Sequence, residues 1–197
     1  MITYKKLKVD NFEEIQKKLV PYFLNFLETN PTCEFGNFIT DEQLIKFKED
    51  VPEVFECIRE VLRAEVPFMS YLYYTKESGG PGVHKDGKDN LKVKFRMSWP
   101  ILNGDSAATI FHRSLSNANT RRFSINQSVA ETYGASLLMY DKEDVVEIDR
   151  YLLDCPTLVN NRTLHSVELV SDKLPRIILN FGLTNQEGIM EKYFVKT

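Results

Sequence analysis

Residues 82–87, GVHKDG, place a histidine and an aspartate two positions apart. In an extended chain, residues i and i+2 point to the same side, so His84 and Asp86 could bind one metal ion while Lys85 points away. The flanking glycines would let the backbone turn sharply around such a site; they are Gly79, Gly80, Gly82 and Gly87. The motif alone is a weak signal, because a hydrogen-bonded pair in a glycine-rich loop has the same sequence.

Two protein ligands hold a divalent ion poorly, so the motif requires a third ligand from elsewhere in the chain. The sequence contains three histidines, which leaves His112 and His165. His165 is favoured because the residues around it are typical of a strand that leads into a turn. His112 stays open as an alternative ligand or as a residue that lines the substrate pocket.

The segment after His165 predicts an antiparallel hairpin, with strands at 165–170 and 175–183 and a turn at 171–173. This register would place Arg176 opposite Leu169, on the face that carries His165 and about 13 Å from it along the strand. A small dicarboxylate could bridge the two, with one end on the metal and the other on the guanidinium.

The residue types at this site indicate which metal would bind. Two imidazoles and one carboxylate on one face of an ion are the ligands of non-haem Fe(II) oxygenases. Zinc enzymes use similar sets, so the ligands do not prove iron. Arg176 favours iron, since it supplies the counter-charge for a dicarboxylate cosubstrate.

The elements that must position these residues are predicted to be helices followed by strands. Apolar residues recur at helical spacing through residues 12–26 and 44–62, although Pro21 should kink or restart the first helix. Capping-box patterns mark three helix starts; they are Asp10 with Glu13, Thr40 with Gln43, and Asp50 with Glu53.

From Val66 onward, short segments rich in aromatic and β-branched residues alternate with turn residues. Eight strands are predicted, at 67–75, 93–101, 107–113, 135–140, 145–152, 157–160, 165–170 and 175–184. The expected fold class is α+β, a single domain in which an N-terminal helical portion (1–65) packs on a jelly-roll, cupin-like core (66–197).

Composition and local sequence argue against several classes of protein. The formal net charge of -3 and the pI near 5.7 do not indicate a nucleic-acid surface. No apolar stretch reaches the roughly 18 residues of a membrane span, and the N-terminus does not resemble a secretory signal. The three widely spaced cysteines, Cys33, Cys57 and Cys155, fit reduced thiols, so a soluble cytoplasmic protein is expected.

Three segments resemble a known family. GVHKDG, FRMSWPILNG and LVNNRTLHSVELVSDKLPRIILNFGL are similar to the iron-binding and cosubstrate-binding segments of the Fe(II)- and 2-oxoglutarate-dependent dioxygenases. The resemblance covers residues 67–184 and rests on the order HxD, distal His, then Arg. It implies a double-stranded β-helix core, and FRMSWP leans toward an aspartyl/asparaginyl β-hydroxylase-like subgroup, with a prolyl-hydroxylase-like one as the other candidate.

The resemblance also implies residue roles. His84, Asp86 and His165 would bind iron and act in catalysis, and Arg176 would pair with the far carboxylate of 2-oxoglutarate. Tyr73, on the strand before HxD, would touch the same cosubstrate, with Tyr71 as the fallback. Arg96 resembles a basic residue that helps to hold 2-oxoglutarate in the β-hydroxylase-like members.

The implied activity is an oxidoreductase reaction. Decarboxylation of 2-oxoglutarate to succinate would be coupled, with dioxygen, to oxidation of a small molecule or protein side chain, and hydroxylation is the expected outcome. Ascorbate is a candidate stimulant. Two alternatives stay open: a cupin-type metalloprotein that does not use 2-oxoglutarate, and a non-catalytic jelly-roll binding module.

Overall fold

The structure is a computed structural model of the chain that describes residues 2–30, 37–75, 82–86, 94–115, 118–124 and 136–195. Four residues singled out in the sequence lie outside these ranges: Cys33, Gly79, Gly80 and Gly87. Cys57 and Cys155 are free thiols. None of the helices in these ranges carries an apolar stretch long enough for a bilayer span.

Four helices are described: α1 (Phe12–Thr29), α2 (Asp41–Asp50), α3 (Pro52–Leu62) and α4 (Gln186–Tyr193). The capping box at the start of α2 is confirmed, since Thr40 and Gln43 exchange both of its hydrogen bonds. The other two predicted boxes are wrong. Helix α1 follows Asn11 without a side-chain cap, and α3 begins directly at Pro52, whose missing N–H needs no cap at that position. Helix α1 also continues through Pro21.

Twelve strands are described, and they include the eight predicted ones with boundaries within about two residues. They are β1 (Tyr4–Lys6), β2 (Asn37–Phe38), β3 (Phe68–Tyr74), β4 (His84–Asp86), β5 (Phe95–Leu102), β6 (Ala107–Ser114), β7 (Thr120–Ser124), β8 (Ser136–Tyr140), β9 (Val145–Leu152), β10 (Thr157–Asn160), β11 (Leu164–Leu169) and β12 (Arg176–Gly182).

The strands form two six-stranded sheets in which every described pairing is antiparallel. Sheet I has the order β1-β10-β5-β12-β3-β2, and sheet II has the order β7-β8-β4-β11-β6-β9. The chain passes repeatedly from one sheet to the other, which is the jelly-roll arrangement of a double-stranded β-helix. The predicted α+β fold class is therefore confirmed, although β1 and β2 show that the N-terminal portion also contributes the two edge strands of sheet I.

The predicted hairpin between 165–170 and 175–183 is wrong. Strand β11 pairs with β4 and β6 in sheet II, whereas β12 pairs with β3 and β5 in sheet I. Leu169 lies opposite Ala107, and Arg176 lies opposite Tyr74. Both sides of each strand are thus already occupied, and the connecting segment joins the two sheets, with the N–H groups of Val170 and Ser171 bonded to the carbonyl of Ser106.

Helices α1, α2 and α3 cover the outer face of sheet I. Phe23 and Phe47 are fully buried there and pack with Tyr71 and with other apolar side chains of β3, β5 and β12. Trp99 is fixed from the same side, because its indole N–H donates to Gln16 Oε1 over 3.0 Å. The space between the sheets holds a separate, smaller cluster, which consists of Phe111, Tyr151, Leu153, Val159 and Ile178.

Candidate metal centre

Three side chains that could bind a metal converge between the two sheets. His84 on β4 lies directly opposite His165 on β11, and Asp86 follows His84 on the same face of β4. One ligand atom from each residue lies within 4.8 Å of the others. Nε2 of His84 is 3.5 Å from Asp86 Oδ1, and Nε2 of His165 is 3.8 Å from Asp86 Oδ2. The structure therefore brings together the predicted ligand set, and metal binding by it stays a prediction.

Both imidazoles are oriented by the backbone. Nδ1 of His84 lies 2.8 Å from the carbonyl oxygen of Gly82, and Nδ1 of His165 lies 3.0 Å from that of Thr163. A carbonyl only accepts, so each Nδ1 carries the proton and donates it. Nε2 is therefore the ring nitrogen through which each histidine could bind a metal.

The charge states of these groups suit metal binding. Burial, followed by repulsion from His84, lowers the pKa of His165 to about 3, so its imidazole is neutral at physiological pH. Burial alone would raise the pKa of Asp86, but the positive charge of Arg96 and the two neighbouring histidines hold that pKa well below its usual range. The site thus offers a neutral imidazole at His165 and an ionised carboxylate at Asp86, the protonation states in which these two groups bind a metal.

Arg96 approaches this cluster from the opposite sheet. Its Nη1 donates to Asp86 Oδ2 over 2.7 Å. Its Nε is buried and has no acceptor among the described residues. The resemblance implies that Arg96 helps to hold 2-oxoglutarate; in the structure its described partner is the carboxylate of Asp86.

Arg176, on β12 of sheet I, is buried, with 1% of the residue exposed. Nε donates to the carbonyl oxygen of Gly104 over 3.1 Å, and the guanidinium lies 5.4 Å from the ring centroid of Tyr74. Among the described residues, Nη1 has no hydrogen-bond acceptor and no carboxylate pairs with this side chain. Burial lowers the pKa of Arg176, which reflects the cost of enclosing a cation without an anion.

The tyrosine beside Arg176 is Tyr74, and the assignment of Tyr73 and Tyr71 is corrected. Tyr74 lies directly opposite Arg176, whereas Tyr73 lies opposite Ile177. Alternation along β3 turns Tyr73 and Tyr71 to the helix-covered face, where they join the core formed with α1. The sequence does not single out Tyr74, because it does not give the register between β3 and β12. In the observed register, Tyr74 and not Tyr73 lies opposite Arg176.

His112 does not belong to the cluster. It is next to Phe111, which faces the interior opposite His165, so His112 points to the outer face of sheet II. There its Nε2 lies 2.8 Å from Ser166 Oγ. His112 is therefore neither a replacement for His165 as a ligand nor a side chain that lines the interior.

The sequence matches no family model and no curated protein. The comparison with solved structures found similar chains. The epimerase SnoN, in complex with Fe3+, alpha ketoglutarate and nogalamycin RO, superposes with a TM-score of 0.50 at 11% identity, over 92% of this chain and 78% of SnoN. HygX from Streptomyces hygroscopicus, with nickel and 2-oxoglutarate bound, gives a TM-score of 0.45 at 10% identity, over 92% of this chain and 82% of HygX. At 11% identity, the likeness to SnoN shows a common fold.

Proposed function

We propose that this chain is an Fe(II)- and 2-oxoglutarate-dependent oxygenase. The reaction would couple decarboxylation of 2-oxoglutarate to succinate with oxidation of a small molecule or a protein side chain, and hydroxylation is the expected outcome. SnoN, which has the same fold, was solved with Fe3+ and alpha ketoglutarate, and this supports the assignment.

The observation that carries the proposal is the placement of complementary groups on opposite sheets. Sheet II contributes His84, Asp86 and His165, whose ligand atoms lie within 4.8 Å of one another. Sheet I contributes Arg176, a buried cation that lacks an anionic partner among the described residues. A dicarboxylate that bound the metal at one end would neutralise this guanidinium at the other, which removes the cost of an unpaired buried charge.

The donor set fits Fe(II). His84 and His165 would bind it through Nε2 and Asp86 through one carboxylate oxygen, which leaves adjacent positions open. Arg176 would bind the distal carboxylate of 2-oxoglutarate in a bidentate contact that includes Nη1. Tyr74 would lie beside that contact. Bound iron, with 2-oxoglutarate and dioxygen, supplies the oxidative decarboxylation and the oxidising equivalent for the substrate.

The residues between the sheets would also limit side reactions. Phe111, Leu153 and Ile178 are buried in the interior cluster, and the ring centroid of Phe111 lies 6.3 Å from that of His165, so this side of the site is apolar. Exclusion of water strengthens the pairing between Arg176 and a carboxylate, since the local dielectric is low.

The test is turnover of 2-oxoglutarate in the absence of a prime substrate. Purified protein is incubated with Fe(II), ascorbate and labelled 2-oxoglutarate, and succinate is measured. Wild type should form succinate above the level of a His84→Ala, Asp86→Ala double variant. Equal amounts from both proteins, with and without a panel of trial substrates, would contradict the proposed function.

His112→Ala is the matched control for this experiment. It also removes a buried imidazole, but one that points to the outer face of sheet II and bonds to Ser166. Succinate formation should persist in His112→Ala. A loss equal to that of the ligand variants would indicate a general effect of histidine removal on the fold.

A cupin-type metalloprotein that does not use 2-oxoglutarate is the second candidate. The shared jelly-roll fold and the ligand set are compatible with it, and Arg176 separates the two. Iron bound by the protein without any measurable affinity for 2-oxoglutarate would favour this second candidate.

A further inference from the structure

Arg96 reaches from sheet I to the carboxylate of Asp86 in sheet II. On β5 it lies opposite Val159 of β10 and Gly182 of β12. Its Nη1 lies 2.7 Å from Asp86 Oδ2, and the two side chains are only 21% and 19% exposed. A charge-assisted hydrogen bond between two largely buried groups restricts rotation of the carboxylate about the Cβ–Cγ bond.

This contact gives the two carboxylate oxygens different partners. Oδ1 lies 3.5 Å from Nε2 of His84 and has no bond to Arg96. Oδ2 lies 3.8 Å from Nε2 of His165 and also accepts the hydrogen bond from the guanidinium. Carboxylates bind divalent cations through one oxygen or through both. The guanidinium favours coordination through Oδ1 alone, because chelation would turn Oδ2 toward the metal and away from Arg96.

The mode of coordination decides how many positions remain for the reactants. Two imidazole nitrogens and a single oxygen leave three open positions on a roughly octahedral ion. In the proposed reaction, 2-oxoglutarate would need two of them and dioxygen the third. Chelation by both oxygens of Asp86 would leave one position too few.

We propose that Arg96 is a positioning residue that keeps Asp86 bound to the metal through one oxygen and so preserves the third open position. This inference rests on the proposed function and differs from the expectation, drawn from the resemblance, that Arg96 holds 2-oxoglutarate. Arg96 acts through Asp86, whereas Arg176 is the residue that meets the cosubstrate.

The test counts the water molecules on a bound metal. Mn(II) is loaded into wild type and Arg96→Met, and the relaxation of water protons by the bound ion is measured without 2-oxoglutarate. Loss of the guanidinium frees Oδ2 to chelate, so the number of bound waters should fall from three to two and the relaxivity by about a third. Arg96→Lys, which retains a cation and a donor, should restore most of the wild-type value.

Arg150→Met is the matched control, because Arg150 forms a surface ion pair with Glu147 and has no described contact with the cluster. Its Mn(II) relaxivity should equal that of wild type. Binding of 2-oxoglutarate to the Mn(II) protein should persist in Arg96→Met, because the two positions that remain open still accept its two donor atoms.

Two results would overturn the inference. If Arg96→Met keeps the wild-type relaxivity but binds 2-oxoglutarate more weakly, Arg96 contacts the cosubstrate directly. If Arg96→Met loses Mn(II) as completely as Asp86→Ala does, the residue is needed to build the site and does not limit its coordination. A wild-type protein that binds neither Mn(II) nor 2-oxoglutarate would instead contradict the proposed function itself, before any variant is compared.

Discussion

The two sheets of the jelly roll differ in both their outer and their inner faces. Sheet I is covered on its outside by α1, α2 and α3 and contributes arginines to the interior. Sheet II contributes the candidate metal ligands, and its outer edge strand β9 exposes Ile148 and Leu152. The arginines thus lie on sheet I and the candidate metal ligands on sheet II. Among the described helices, α1, α2 and α3 pack on sheet I.

This division has a consequence for how the site is held. The arginines are carried by strands whose opposite face is packed with aromatic side chains, which limits their movement. The two histidines of the candidate site are oriented locally by the backbone carbonyls of residues 82 and 163. Variants of the candidate ligands in sheet II should therefore affect metal binding. Variants in sheet I should affect stability, cosubstrate binding or, at Arg96, the way in which Asp86 coordinates the metal.

The largest effect is expected from removal of a ligand in sheet II. His165→Ala should reduce succinate formation to the background of the assay, because two remaining ligands hold Fe(II) poorly. Metal content after dialysis measures the cause directly. Retention of iron and of activity in folded His165→Ala would break the assignment of the ligands to sheet II.

Stability should depend far more on the outside of sheet I than on that of sheet II. Phe23 is fully buried and packs against Phe47 and Tyr71, so Phe23→Ala should lower the free energy of unfolding by about 3–5 kcal/mol. Leu152, which is 41% exposed, should change it by less than about 0.5 kcal/mol when replaced by alanine. Urea unfolding measures both, and similar losses would remove the contrast between the two outer faces.

Arg176→Met should separate cosubstrate binding from metal binding. Loss of a charged hydrogen-bond partner costs about 1.5–3 kcal/mol, which corresponds to a roughly ten- to hundredfold weaker affinity for 2-oxoglutarate. Iron affinity should match that of Arg150→Met, the surface control. Titration of each metal-loaded variant with 2-oxoglutarate provides the measurement, and an unchanged affinity would favour the metalloprotein that does not use this cosubstrate.

The smallest effect distinguishes two adjacent tyrosines on β3. Tyr74→Phe removes a hydroxyl from the residue opposite Arg176, and this should weaken 2-oxoglutarate binding roughly two- to tenfold, the usual range for one hydrogen bond. Tyr73→Phe is the matched control, since that ring lies on the helix-covered face. A larger loss in Tyr73→Phe than in Tyr74→Phe would contradict the register between β3 and β12.

The sequence predicts much of the fold because strand formation depends on local patterns. The segments at 145–152 and 157–160 coincide with β9 and β10. Their alternation and turn residues lie within the segments themselves. Strand partners depend on distant parts of the chain, and the predicted hairpin therefore failed where β11 and β12 entered different sheets.

The same distinction applies to the site. His84 and Asp86 were recognisable because their spacing is local, and His165 because few histidines compete with it. Tyr74 and the contact between Arg96 and Asp86 were not recognisable, since each depends on how distant strands align. A shift of one residue in strand register turns a different side chain toward the site.

The backbone contacts of the two histidines bear on which substitutions the site tolerates. Each imidazole donates to the carbonyl of the residue two positions earlier in the chain, at Gly82 and Thr163. A main-chain acceptor is present whatever side chain the residue carries. At residue 82 an added Cβ would meet Met139 at 3.5 Å, an ordinary contact distance. The ring nitrogen that donates is thus set by the main chain in both histidines, and an alanine at residue 82 should leave the carbonyl acceptor of His84 in place.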